Sequence, residues 1–305
     1  MLDRIRRGIN TSEDDIDAIE AEIDLIDAEL DAIDAKILRL LENRLDTNSN
    51  ELMEYVTTGS AVNHWKWTNA ATGNGPLAEA TGSDTNVSAR IAAKGTGTIK
   101  VGGATHHTEF EADGTLHMVG DATVWEDMRV PVTATNRGGS KDPTFSVFKD
   151  NGGGSQGVFL DWFSASSEQE LYFACQFSHA YKLGSTIYPH VHWVPAASGT
   201  NKHVSWGLEY TWVDTGATYG NTAIIYGDTP SDGTVNLVAG RSYLTNLTAI
   251  VGSGISGVSS MLVGRVFRDA TGAGGTDDLA ATAGLMEIDF HYEVDTIGSR
   301  TVTAK

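Results

Sequence analysis

Eight aliphatic residues set in acid constrain this chain more than any other feature. Ile16, Ile19, Ile23, Ile26, Leu30, Ile33, Ile37 and Leu40 follow one another at intervals of 3, 4, 3, 4, 3, 4 and 3. That spacing holds all eight on one narrow stripe of an α-helix. Ile16, Ile23, Leu30 and Ile37 take position a of a heptad, and Ile19, Ile26, Ile33 and Leu40 take position d. A helix packed on its own domain carries a wider apolar stripe, so the pattern predicts a rod that associates with copies of itself. Isoleucine at both a and d disfavours the parallel dimer, because a β-branched side chain fits its d layer poorly. The expectation is a homotrimeric coiled-coil stalk over residues 11–46. Ser12 and Asp15, spaced like a capping box, place its start near residue 12.

The flanks of the seam are almost entirely acidic. Positions e and g hold Glu20, Asp27, Asp34, Asp15, Glu22 and Glu29 against the single cation Lys36. Thirteen acids stand between Glu13 and Asp46 against Lys36, Arg39 and Arg44, a local balance of −13 + 3 = −10 out of −19 for the whole chain. Like charges at exposed helix positions cost a few tenths of a kcal/mol per pair, whereas each buried isoleucine contributes about 1.5–3 kcal/mol. The seam wins. Ahead of it lie Leu2, Ile5 and Ile9 in the same spacing, interrupted by Gly8, Asn10 and Thr11. Arg4, Arg6 and Arg7 form the one basic cluster at this end, and residues 1–10 read as an anchor segment.

The rest of the chain reads as β-structure. Thirty-four glycines against six prolines indicate tight turns. Residues 47–122 form a turn-rich, glycine-rich β connector, with Asp113-Gly114 as a hairpin turn. Residues 123–305 alternate in period two. Val204, Trp206, Leu208, Tyr210 and Trp212 share a face, as do Met286, Ile288, Phe290, Tyr292 and Val294. Leu171, Phe173, Cys175 and Phe177 form a third such set, and Val158, Leu160 and Trp162 a fourth. Strands with one aromatic-rich face and no intervening helices predict an antiparallel β-sandwich of jelly-roll type. The fold class is therefore mainly β, with an N-terminal helical stalk.

Chemistry-bearing motifs are sparse. No cofactor is expected. The acidic balance argues against nucleic acid, and no apolar run reaches the roughly 18 residues of a membrane span. Cys175 stands alone in "LYFACQF" and reads as a small buried hydrophobe. "YPHVHW" puts His190 and His192 on one strand face, and His203 could lie across the "VPAASGTNK" hairpin. Two imidazoles and a third ligand would suit zinc or iron, but an H-x-H pair alone does not establish a metal. "GSGISG" matches a dinucleotide fingerprint in letters only, since a strand rather than a helix follows it. Glu287, Asp289, Glu293 and Asp295 share one alternating face, read as the solvated side of a sheet rather than as catalytic acids. No catalytic residue is assigned, and the chain is not expected to be an enzyme.

"EFEADGTLHMVGDATVWEDMRVP" (109–131), "LYFACQFSHAYKLGSTIYPHVHW" (171–193) and "WGLEYTW" (206–212) resemble tailed-bacteriophage virion proteins of the head-fibre or tail-fibre type. The shared stretches are "DGTL", "W-x-D" and "PHVHW", and they carry no receptor site over. The resemblance implies a homotrimer assembled in the host cytoplasm and located in the virion. Residues 1–10 would attach it to a capsid, collar or tail protein, with the C-terminal knob outward. The loops 194–202 and 269–284 would then face a host surface or glycan, and Trp65 and Trp67 in "HWKW" would be free to stack on sugar. A decoration protein that only stabilises the shell and a glycan-degrading enzyme are the alternatives.

Overall fold

A computed structural model describes residues 2–42, 50, 52–53, 56, 58–154 and 156–305, and within the first helix the side chains of residues 15–37. The chain is mainly β, with one N-terminal helix and several antiparallel sheets. It divides into two compact units, residues 1–90 and 91–305.

The first unit contains α1 (Leu2–Glu42) and a hairpin of β1 (Asn63–Thr68) and β2 (Leu77–Gly82). The helix does not begin at Ser12. It runs unbroken through Gly8, Asn10 and Thr11, because one helical glycine costs only about 1 kcal/mol and no proline intervenes. A separate anchor at residues 1–10 is therefore not set off by the backbone. Ile16, Ile19, Ile23, Ile26, Leu30, Ile33 and Ile37 stand 48–56% exposed along one stripe. Leu25 is still more exposed, at 63%, but lies off that stripe. The side chains of Leu40, Arg4, Arg6 and Arg7 lie outside the described residues. Trp65 and Trp67 occupy the same face of β1 and stack with ring centroids 6.3 Å apart.

The second unit begins with a three-stranded sheet of β3 (Ile99–Gly102), β4 (His107–Phe110) and β5 (Leu116–Val119). The turn between the last two is closed at Gly114, whose φ of +87° favours glycine, and its N–H donates to the Glu111 carbonyl. The Met118 N–H donates to the Asp295 carbonyl at 2.6 Å. This sheet thus belongs to the same compact unit as the C-terminal body.

The body is two antiparallel sheets packed face to face. Its remaining strands are β6 (Val124–Pro131), β7 (Thr144–Asp150), β8 (Gly157–Phe163), β9 (Gln169–Gln176), β10 (Tyr188–Pro195), β11 (Trp206–Val213), β12 (Ala223–Gly227), β13 (Tyr243–Asn246), β14 (Met261–Arg268) and β15 (Ala283–Val294). One sheet runs β13-β10-β15-β8-β7, with β6 also on β15; the other runs β12-β11-β14-β9. Aromatic rings from the two sheets meet between them, Phe163 on Trp206 at 5.2 Å, Trp193 on Trp206 at 6.3 Å and Phe173 on Phe290 at 6.2 Å. The faces expected for β9 and β11 are the ones that turn inward. Cys175 is largely enclosed there, and burial pushes its thiol up to about 12.

Two expected faces are different. In β8, Phe163 and Asp161 are buried while Val158 is exposed and Trp162 only half-buried. The strand end is held in place by Phe163 against Trp206 and by the ion pair of Asp161 with Arg137. In β15 a bulge opposes Leu285 and Met286 to the single step from Trp193 to His192. Leu285 takes the inward place and Met286 is turned out.

The outer face of the second sheet carries its own charge network. The Arg265 Nε donates to Glu209 at 2.7 Å and its Nη1 to Glu168 at 3.1 Å and to Glu170, above the Phe267 ring. Hydrogen bonds from Thr222, and then from Arg265, hold the Glu209 carboxyl below its usual range. A depressed carboxyl contributes stability above its unfolded pKa of about 4.3 and loses it as pH falls through the folded value. Glu209→Gln should therefore lower the unfolding free energy measured in urea near neutral pH, by roughly 1 kcal/mol or less. The gap to wild type should close as pH falls below about 4.

Candidate functional site

β15 lies between β10 and β6 over its second half, and that geometry builds the site. His190 is directly opposite Asp289 on β10 and β15, and His291 is directly opposite Asp127 on β15 and β6. Alternation puts all four side chains on the outward face, away from the aromatic core. The stretches "WED" and "PHVHW" thus meet across a strand distant from both in sequence.

Asp289 is at the centre. Its residue is only 4% exposed, so it is not part of an ordinary solvated strand face. The rings around it explain why. His190 Nδ1 lies 3.5 Å from its Oδ1, while His192 Nε2 and His291 Nε2 lie 3.3 and 3.6 Å from its Oδ2. The His190 and His291 rings meet edge to face at 4.2 Å. Burial pushes the Asp289 carboxyl up, but the imidazoles of His190 and His192 pull it down further, and it ends well below the usual carboxylate range. The hydrogen bond to that carboxylate holds His192 above the ordinary imidazole value.

Satisfaction of the cluster is incomplete. His190 Nδ1 and Asp289 Oδ1 are both buried and neither has a hydrogen-bond partner. Orphaned buried donors and acceptors cost about 1–3 kcal/mol each. His291 Nε2 also reaches Asp127 Oδ1 at 2.6 Å. The bulge at Met286 adjoins this point, and Arg129 makes a two-pronged contact with Glu287 just beyond it.

Two shallow concavities open on either side of His291. One, of about 380 Å³, is walled by Trp125 and Tyr188, which pack edge to face at 5.5 Å, together with His190 and Leu247. The other, of about 400 Å³, contains Asp127, Arg129, His192 and Asp289. A larger hollow near the C-terminus is less suited to a ligand, because its charges are already paired internally, Arg300 with Asp113 and Lys305 with Asp295.

Of the three histidines expected from the sequence, the structure brings His190 and His192 together and excludes His203. β10 and β11 belong to different sheets, so "VPAASGTNK" is a crossing rather than a hairpin. His203 Nδ1 lies 3.9 Å from Asp278 instead. The residues missed were Asp289, His291 and Asp127. Ligand atoms of His190, Asp289 and His291 lie within 4.8 Å of one another, which marks them as the group of the described residues able to share a cation.

The 269–284 segment is also unlike a free loop. It wraps the fully buried Arg268, which pairs with Asp277 through Nε at 2.9 Å and Nη2 at 2.7 Å and donates to the carbonyls of Leu279 and Ala281. Asp269, itself buried, accepts the N–H groups of Ala273 and Gly274.

No family model matches the chain, and no curated protein matches it. Among solved structures it is similar to TmCBM61, a carbohydrate-binding module solved in complex with β-1,4-galactotriose, at 13% identity over 56% of this chain and 88% of that one. The TM-score is 0.24. A likeness so low bears on neither fold nor ligand. Among the described residues, no helix is long and apolar enough to cross a membrane.

Proposed function

We propose that this chain is a homotrimeric stalk-and-knob protein of a phage virion. In this reading α1 supplies a parallel three-stranded coiled coil, and the two-sheet body is a jelly-roll-like knob that binds a host surface or glycan without turning it over. The N-terminal end of the stalk, with Arg4, Arg6 and Arg7, attaches to a capsid, collar or tail protein.

One observation carries the stoichiometry. Seven aliphatic side chains on one stripe of α1 are about half exposed in the single chain, and at roughly 1.5–3 kcal/mol each they favour burial against copies of themselves. The stripe has the a/d width of a coiled-coil seam and the isoleucine content of a trimer. The sequence resemblance supports the virion assignment, and the exposed, stacked Trp65 and Trp67 offer a flat apolar surface of the kind that sugar rings pack on. Light scattering on the full chain should give three times its mass of 32.5 kDa. A monomer or dimer sinks the reading. Retained binding of host polysaccharide without release of sugar separates a binding knob from a glycan-degrading enzyme. Unaltered adsorption of particles lacking the protein would reduce it to shell decoration.

A further inference from the structure

We propose that His190, Asp289 and His291 bind a divalent first-row transition cation of the zinc type, with Asp127 completing the set. The inference stands on the face of the six-stranded sheet alone and is independent of the stalk.

The donor chemistry selects the ion. Two imidazole nitrogens and a carboxylate oxygen suit zinc and its neighbours, whereas calcium and magnesium take all-oxygen sets. The dimensions also fit. With bonds of about 2.0–2.1 Å, tetrahedral ligands sit roughly 3.3 Å apart. His190 Nδ1 lies 3.5 Å from one Asp289 oxygen and His291 Nε2 lies 3.6 Å from the other. One ligand atom from each of the three residues lies within 4.8 Å of the others, so side-chain rotation without backbone movement would close the set around an ion. The orphaned atoms supply the independent evidence. His190 Nδ1 and Asp289 Oδ1 are buried, unpartnered and turned towards each other, and a cation between them would satisfy both. A lone buried carboxylate with a second at Asp127 also gives the negative charge that a cation needs, since Arg129 is already occupied by Glu287.

The site is well supported structurally. Its three ligands come from two paired strands, and Asp127 from a third. Asp127 is in direct contact with the His291 nitrogen, and His192 contacts the Asp289 oxygen that faces His291. Asp127, which shares the ligating His291 nitrogen, is placed to bind the ion itself as a fourth ligand, while His192 can orient the Asp289 carboxylate. A bound ion would tie β10, β15 and β6 together on the outer face of the sheet, beside the Trp125–Tyr188 wall.

The test uses the untagged full chain, stripped with a chelator and titrated with zinc by calorimetry, with melting followed in parallel. The expected result is one zinc per chain and a melting temperature that rises with zinc concentration. His291→Ala removes a half-exposed ring, so the metal-free protein should melt close to wild type while zinc affinity falls by at least about tenfold. His203→Ala should bind zinc as wild type does. Cobalt substituted for zinc should give visible bands that are absent in His291→Ala. No saturable zinc binding, or equal binding by wild type and His291→Ala, overturns the proposal.

Discussion

Arg268→Ala should destabilise the two-sheet body by about 3–5 kcal/mol, enough to threaten folding of a domain whose total stability is of order 5–15 kcal/mol. The guanidinium has no exposed surface and Asp277 has 1%. Nε and Nη2 form a fork on the Asp277 carboxylate, while Nη1 and Nη2 also reach the carbonyls of Ala281 and Leu279. Alanine would leave a buried carboxylate unpaired and these carbonyls unsatisfied, which is the expensive way to break a buried pair. Arg268→Lys keeps the charge but not the fork, and should still destabilise, by a smaller amount. The decisive measurement is a double-mutant cycle in urea. Because each single variant strands the other partner, the losses for Arg268→Ala and Asp277→Ala should sum to clearly more than the loss in the double variant. Additive losses would show that the pair is not coupled.

That arginine was not legible in the sequence, and the reason is general. Periodicity reveals which face of a strand is apolar; it does not reveal a charge buried by a returning loop. "DATGAGGTDDLAATAG" looks like an exposed loop because it is rich in glycine and acid. Yet those acids are the partners of Arg268, Ser205 and the backbone N–H groups around Asp269. By contrast, the inward faces of β9 and β11 are readable, because each strand packs one face on the opposite sheet, so its core side chains alternate. β8 was misread because its free end has no core to meet, and only Phe163 and Asp161 reach it.

The site on β15 shows the same limit. The alternation "DFHYEV" correctly sets Asp289 and His291 apart from Phe290 and Tyr292, and the H-x-H pair on β10 was visible. What joins them is cross-strand register, and register is fixed by pairing partners remote in the chain. A hairpin between β10 and β11 was the simplest guess, and it pointed to His203. The chain crosses to the other sheet instead, and β10 pairs with β15, which sets Asp289 opposite His190 and His291 two residues further along the same face. One signal was present: a histidine two places after an aspartate, on a strand face otherwise glutamate and aspartate.

Ile26→Asp should dissociate the stalk. In a trimer the substitution removes three isoleucines from one d layer at once, a loss of about 5–9 kcal/mol per assembly at 1.5–3 kcal/mol each. At 1.4 kcal/mol per decade, association should weaken by some three to six orders of magnitude. The aspartates would also face one another in an already acidic rod, and no cation in that layer could pair with them. The informative control is Leu25→Asp. Leu25 is the more exposed residue, 63% against 55%, and the two are adjacent, so any account based on general hydrophobicity or helix propensity predicts a comparable effect. An a/d seam predicts none, because position c faces solvent in a three-stranded coil. Sedimentation of the full-length chain should therefore show trimers for wild type and Leu25→Asp, and monomers for Ile26→Asp at the same concentration. If Leu25→Asp dissociates as well, α1 packs through a broader face than a coiled-coil seam. If Ile26→Asp remains trimeric, association resides elsewhere in the chain, and the exposed stripe on α1 has another partner.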